Sequence, residues 1–119
     1  MRRKQMSKVL LAEDDYTMVS LLTTLLKMEG FDVVVLDVHE DVPSMVSQEQ
    51  PDFLLMDVHL GGQNGMDIIE SIRKNPANEN VNIVMTSGLN MQDECLRRGA
   101  DHFIMKPFMP DDLLVLLKK

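Results

Sequence analysis

The sequence predicts an α/β domain built on an open, doubly wound, five-stranded parallel sheet. Short apolar runs alternate with amphipathic helical stretches along the chain, the pattern of repeated strand–helix–strand units. The runs are apolar without alternation, as in strands buried on both faces. The connections are short and crossovers of this kind are right-handed, while five strands are too few for a closed barrel, which needs about eight.

Each element has a local reason. "KVLLAEDD" gives a first strand over about Val9 to Ala12. "YTMVSLLTTLLKMEG" puts Met18, Leu21, Leu22, Leu25 and Leu26 on one helical stripe, with Gly30 as its C′ residue. "FDVVVLD" is a second strand rich in β-branched residues. "DVPSMVSQEQ" reads as a short helix with Pro43 in its first turn and Pro51 beyond its end. "DFLLMD" is the third strand, and "GMDIIESIRKN" an amphipathic helix through Met66, Ile69 and Ile72, stopped before Pro76. "VNIVMTS" is a fourth strand, "MQDECLRRG" a short helix closing at Gly99, and "HFIM" a fifth strand. "PDDLLVLLKK" is the last helix, with Pro110 near its first position.

At 119 residues this is one domain. Residues 1–7 read as an N-terminal extension and 8–119 as the domain proper. The net charge of −7 argues against nucleic acid as a direct partner, because binding phosphates needs clustered Lys and Arg. Cys95 is the single cysteine, so neither an internal disulfide nor a zinc cluster is expected. The chain has no long apolar span, and the basic start "MRRKQMSK" is not followed by a signal-peptide core. A soluble, cytoplasmic protein without membrane contact is the expectation. The 11 methionines sit mostly among Leu, Ile and Val and read as core filler.

Sheets of this kind place their chemistry at the carboxyl ends of the strands. The residues that collect there are Glu13, Asp14 and Asp15; Asp57; Thr86 and Ser87; and Lys106. Asp37 shares the edge but lies to one side. Carboxylates crowded together repel, and a hard divalent cation relieves that repulsion; oxygen-rich ligation favours Mg²⁺. Lys106 adds a fixed positive charge and the hydroxyls add short donors. The set suits phosphoryl transfer onto the Asp57 carboxylate. Singly, each member has a plainer reading: Asp14 or Asp15 could cap the helix that begins near Tyr16, and Lys106 could be a solvated charge. The joint occurrence at successive strand ends is what points to chemistry.

From about Lys8 onward the chain resembles a response regulator receiver domain of two-component signalling, of the chemotaxis-regulator kind. The resemblance rests on "LLAEDD", "LLMDVHLGGQNGMD", "IVMTSG" and "GADHFIMKPF", in the family's order and at close to its spacing. It implies a flavodoxin-like (βα)5 sheet with strand order 2-1-3-4-5. It further implies that Asp57 is the phosphoacceptor and that Mg²⁺ or Mn²⁺ is held by Glu13, Asp14, Asp57 and the backbone carbonyl of His59. Lys106 matches the lysine that contacts the phosphoryl group, and Phe103 the aromatic that changes rotamer on activation. "MTSG" leaves the switch hydroxyl open between Ser87 and Thr86, counting from Asn82 favouring Ser87. The Lys106–Pro107 bond is expected to be cis.

The implied partners are a histidine kinase or phosphotransfer protein, and a downstream protein or effector domain meeting the fourth helix, fifth strand and fifth helix. A phosphorylation-linked homodimer falls within the same implication. The chain is expected to be a switch rather than an enzyme, self-phosphorylating and self-dephosphorylating at most. Two departures stand out: Gly61-Gly62 replaces the family's usual proline at 61, predicting a looser loop after Asp57, and His59 introduces a titratable ring expected to alter phosphoryl lifetime. The alternatives are a receiver-like interaction module that is never phosphorylated, and, further off, an aspartyl-phosphatase-type enzyme, in which His59 stands where a second acid is wanted. A flavin carrier shares the fold, but "EDDYT" would repel its phosphate.

Overall fold

The computed structural model describes residues 7–37 and 39–118. The predicted extension therefore lies outside the described residues, apart from Ser7. The strands of the main sheet are β1 (Lys8–Ala12), β2 (Asp32–Val35), β3 (Phe53–Asp57), β6 (Asn82–Ser87) and β7 (His102–Met105). They are all parallel and lie in the order β2-β1-β3-β6-β7. Counting only these strands, the order is the predicted 2-1-3-4-5. A second, two-stranded sheet of β4 (His59–Leu60) and β5 (Gln63–Asn64) follows β3 directly.

The helices are α1 (Tyr16–Met28), α2 (Val42–Glu49), α3 (Gly65–Arg73), α4 (Gln92–Arg97) and α5 (Pro110–Leu117), with a 3₁₀ turn at Pro76–Asn78. Strand side chains alternate between faces, so the sheet splits its apolar residues into two layers. Val9, Leu11, Leu55 and Val84 pack under α1 and α5 with Leu22, Leu26, Leu113 and Leu117. Leu10, Leu54, Met56, Ile83 and Met85 pack under α2, α3 and α4 with Val46, Ile69, Ile72 and Cys95. β3 is buried along its whole length, the central position that its unbroken apolar run requires.

The helix ends follow the sequence signals. Asp15 caps α1, its carboxylate accepting from the N–H groups of Thr17 and Met18 at 3.0 and 3.2 Å. α1 stops in a Schellman turn, Phe31 N–H reaching Leu26 O at 3.0 Å and Gly30 N–H reaching Lys27 O at 3.1 Å. α4 ends the same way, through Gly99 and Ala100. One residue of the predicted α1 stripe departs: Leu21 is 64% exposed, because Leu22 and Leu26 occupy the centre of the buried face.

Candidate functional site: an acid cluster at the carboxyl edge

The site is built where β1, β3, β6 and β7 end. Glu13, Asp57, Thr86 and Lys106 each stand two residues beyond a member of the α1/α5 layer: Leu11, Leu55, Val84 and Ile104. The period of two puts all four on one side of the sheet. Glu13 and Asp57 are only 4% and 8% exposed, whereas Asp14 reaches solvent. Because Asp15 takes the capping role, Asp14 is left to the site. Asp37 stays apart, its carboxylate turned to His39 N–H at 2.9 Å.

Among the described residues one ammonium serves this edge. Lys106 Nζ donates to Asp57 Oδ2 at 2.5 Å and to Glu13 Oε2 at 3.0 Å. Burial pushes the Lys106 pKa down, but the hydrogen bonds to Asp57 and Glu13 overcome it and hold the ammonium above its usual value. Burial also raises the Glu13 carboxyl, against the lowering pull of Lys106 and of Asp15 N–H. The Lys106–Pro107 peptide is cis, as expected, and Lys106 N–H extends the β6–β7 ladder by donating to Ser87 O at 2.8 Å.

Backbone donors complete the frame. His59 N–H donates to Asp57 Oδ1 at 2.8 Å, and Gly61 N–H to Asp14 Oδ2 at 3.0 Å. Both come from the β4–β5 hairpin, which the strand pattern of the sequence does not announce. Its turn is Gly61-Gly62, with φ of 52° and 85°. Two positive φ values in a two-residue connection mark a type I′ turn, so the glycines form the turn of a hairpin. The hairpin ends on Asn64, which also caps α3, and Gly65 follows at once. A Cβ on Gly65 would lie 2.8 Å from Val58 O and 2.9 Å from Asp57 O, so only glycine lets α3 start this close behind Asp57.

The two hydroxyl candidates differ. Thr86 is the register partner of Asp57 across β3 and β6, and its Oγ1 is buried without a hydrogen-bond partner among the described residues. Ser87 points to the other layer, at the last position of β6, its Oγ accepting from Leu89 N–H at 3.1 Å with Met91 Sδ 3.9 Å away. Phe103 is half-buried against the layer under α4, one strand over from Met85. His59 is exposed on β4.

An oxygen from each of Glu13, Asp14 and Asp57 lies within 4.8 Å of the other two. The donors are hard oxygens, and three carboxylates face one ammonium. That set fits a hard divalent cation of the Mg²⁺ or Mn²⁺ kind.

Known proteins give the same picture. Residues 9–118 match the family described as response regulator receiver domain. The chain is 35% identical over 114 residues to the DNA-binding response regulator MtrA of Mycobacterium tuberculosis, covering 93% of this chain and 49% of that protein. It is 33% identical over 115 residues to the transcriptional regulatory protein CpxR of Escherichia coli, covering 95% and 48%. The chain thus spans about half the length of these relatives. Among solved structures it resembles the receiver domain of the sensor histidine kinase PA1611 from Pseudomonas aeruginosa, with a TM-score of 0.82, 24% identity and coverage of 96% and 97%. That structure has a magnesium ion coordinated in its active-site cleft. Among the described residues here, no helix is long and apolar enough to cross a membrane. With its fold, its edge chemistry and its nearly full-length family match, the chain belongs to the response regulator receiver family of two-component signalling.

Proposed function

We propose that this domain is a phosphorylation-dependent switch in which Asp57 accepts a phosphoryl group from a histidine kinase or a phosphotransfer protein. The observation that carries the reading is the shortage of positive charge around Asp57: Lys106 is shared with Glu13, and Asp14 stands beside both. Mg²⁺ or Mn²⁺, bound by Glu13, Asp14, Asp57 and the His59 carbonyl, would supply the missing charge and neutralise phosphoryl oxygens. Magnesium in the cleft of the similar PA1611 domain supports the same assignment.

In the transfer, a carboxylate oxygen of Asp57 forms a bond to phosphorus as the donor's P–N bond breaks, and the departing imidazole takes up a proton. Lys106 Nζ, already on Asp57 Oδ2, holds the charge that gathers on the new group. His59 N–H keeps the carboxylate from rotating away.

Ser87 is the switch hydroxyl in this reading. Its Oγ is tied to Leu89 N–H, so a shift toward the phosphoryl oxygens pulls on the segment leading into α4. Phe103 packs against the layer beneath α4 and turns inward as that segment moves. A phosphoryl group that binds the active arrangement better by a few kcal/mol suffices to invert a minor population. The changed surface of α4, β7 and α5 then meets a downstream protein, an effector domain or a second copy. The relatives are DNA-binding or transcriptional regulators of about twice this length, which supports output through a further domain; this acidic domain does not itself contact nucleic acid. The setting is cytoplasmic, and the domain turns over no substrate beyond its own phosphoryl group.

Incubation with acetyl phosphate and Mg²⁺, followed by intact-mass measurement, tests this. A single phosphoryl adduct is expected in the wild type and none in Asp57→Ala. An unmodified wild type, or an adduct that survives in Asp57→Ala, refutes the assignment.

A further inference from the structure

The β4–β5 hairpin does more than connect β3 to α3. It delivers two backbone N–H groups to two of the three clustered carboxylates: His59 to Asp57 and Gly61 to Asp14. Glu13, the third, is held by Asp15 N–H at 3.1 Å and by Lys106. Every acid in the cluster is thus restrained by a donor. Asp14 depends on Gly61 most, since it is exposed and no other donor among the described residues is seen on it.

We propose that Gly61 is a positioning residue: its N–H orients the Asp14 carboxylate and thereby raises the affinity of the cluster for a divalent cation. The inference rests on the cation-assisted reading of the site. A carboxylate has two oxygens and about four lone-pair directions, so a donor on Oδ2 leaves room for a cation. An exposed Asp side chain otherwise spreads over several rotamers, and few of them would keep an oxygen within 4.8 Å of Glu13 and Asp57. Hydrogen bonds that fix a metal-binding side chain are typically worth about 10- to 100-fold in metal affinity.

The turn chemistry is what makes the contact available. Gly61 has φ 52°, which proline, locked near about −65°, cannot adopt, and proline has no N–H to give. Gly61 therefore supplies both the backbone shape and the donor. Gly62, at φ 85° and with nothing within 4 Å of where a Cβ would sit, shares the turn but not the contact with Asp14.

The test compares Mn²⁺ and Mg²⁺ affinities of the whole chain by calorimetric titration in wild type, Gly61→Pro and Gly62→Ala. Gly61→Pro is expected to bind about tenfold more weakly, and Gly62→Ala, which strains the same turn yet keeps the Gly61 N–H, to stay within about twofold of wild type. Equal binding by wild type and Gly61→Pro overturns the positioning role alone. A wild type that binds neither cation overturns the cation reading and the positioning role together. If Gly61→Pro does not fold, amide hydrogen exchange in metal-free protein decides. Slow exchange at Gly61 that becomes fast in Asp14→Ala, with His59 unchanged, supports the contact, and exchange at Gly61 that is the same in both proteins overturns it.

Discussion

The two edges of the main sheet carry the same kinds of charged residue in opposite arrangements. At the amino edge, Lys8 N–H and Nζ answer Asp52 and Glu49, at 2.7 and 3.3 Å. On the same edge, Asp101 Oδ2 accepts from both Arg73 and Ile83 N–H at 2.7 Å. Among the described residues two acids there, Glu49 and Asp101, each meet a cation of their own, Lys8 and Arg73, and all four side chains keep some solvent. In the cluster at the carboxyl edge three acids share, among the described residues, one lysine, and two of the acids are buried. Water and one-to-one ion pairs make the first edge structural. Burial and deficient pairing set the second one apart, because charge repulsion held in place is what a cation can relieve.

The contrast can be broken by removing one lysine from each edge. Lys106→Met leaves Glu13 and Asp57 without their cation, and chemical unfolding of the metal-free protein should show a loss of about 2–3 kcal/mol, below the usual cost of a fully buried pair because Lys106 keeps partial exposure. Gly65→Ala forces a carbon against the Val58 and Asp57 carbonyls, and the same measurement should read about 1–3 kcal/mol. Lys8→Met at the amino edge should cost less than about 1 kcal/mol, since its partner pair is solvated. A Lys8→Met loss equal to that of Lys106→Met would erase the distinction between the edges.

Titration sharpens the same comparison, with a smaller effect. Burial holds the folded Glu13 pKa above the ordinary 4.5, so the folded state binds more protons than the unfolded one in that window. Metal-free stability should therefore carry a component that falls as pH rises from about 4.5 through the folded Glu13 value, and Glu13→Gln should abolish it. Glu70 on α3 behaves oppositely. Its hydrogen bond from Arg98 lowers the carboxyl pKa, so its contribution is present above 4.5 and lost as pH falls through the folded value. Arg98→Gln should remove that acid-side component. The smallest change is expected from His59→Asn: folding unaltered, but a shifted half-life of the Asp57 adduct, measured by intact mass over time.

Much of this architecture was legible in the chain because its signals are local. Apolar runs ending in Glu13, Asp57 or Ser87 mark strands and edge together, and the Gly30 and Gly99 stops sit where the Schellman turns form. The β4–β5 hairpin was not legible, since strands of two residues, one of them polar throughout, carry no hydrophobic period. Gly61-Gly62 did hold the signal: two glycines between short flanks are also a type I′ turn signature. The choice between Asp14 and Asp15 as cap, and between Thr86 and Ser87 as neighbour of Asp57 in the sheet, depends on side-chain direction at the end of a strand. The bridge from Lys106 to Glu13 spans 93 residues and exists only once the sheet order sets β7 beyond β3 and β6 from β1.

The unbalanced charge of the carboxyl edge is tested most directly by following the unfolding midpoint of the wild type against Mg²⁺ concentration, with K⁺ at matched ionic strength as the reference. The midpoint should climb with the logarithm of Mg²⁺ once the site saturates, the stabilisation behind it reaching about 2.7 kcal/mol at a hundredfold excess over Kd, and Asp14→Ala should flatten the climb. A midpoint that answers Mg²⁺ and K⁺ identically would contradict the account.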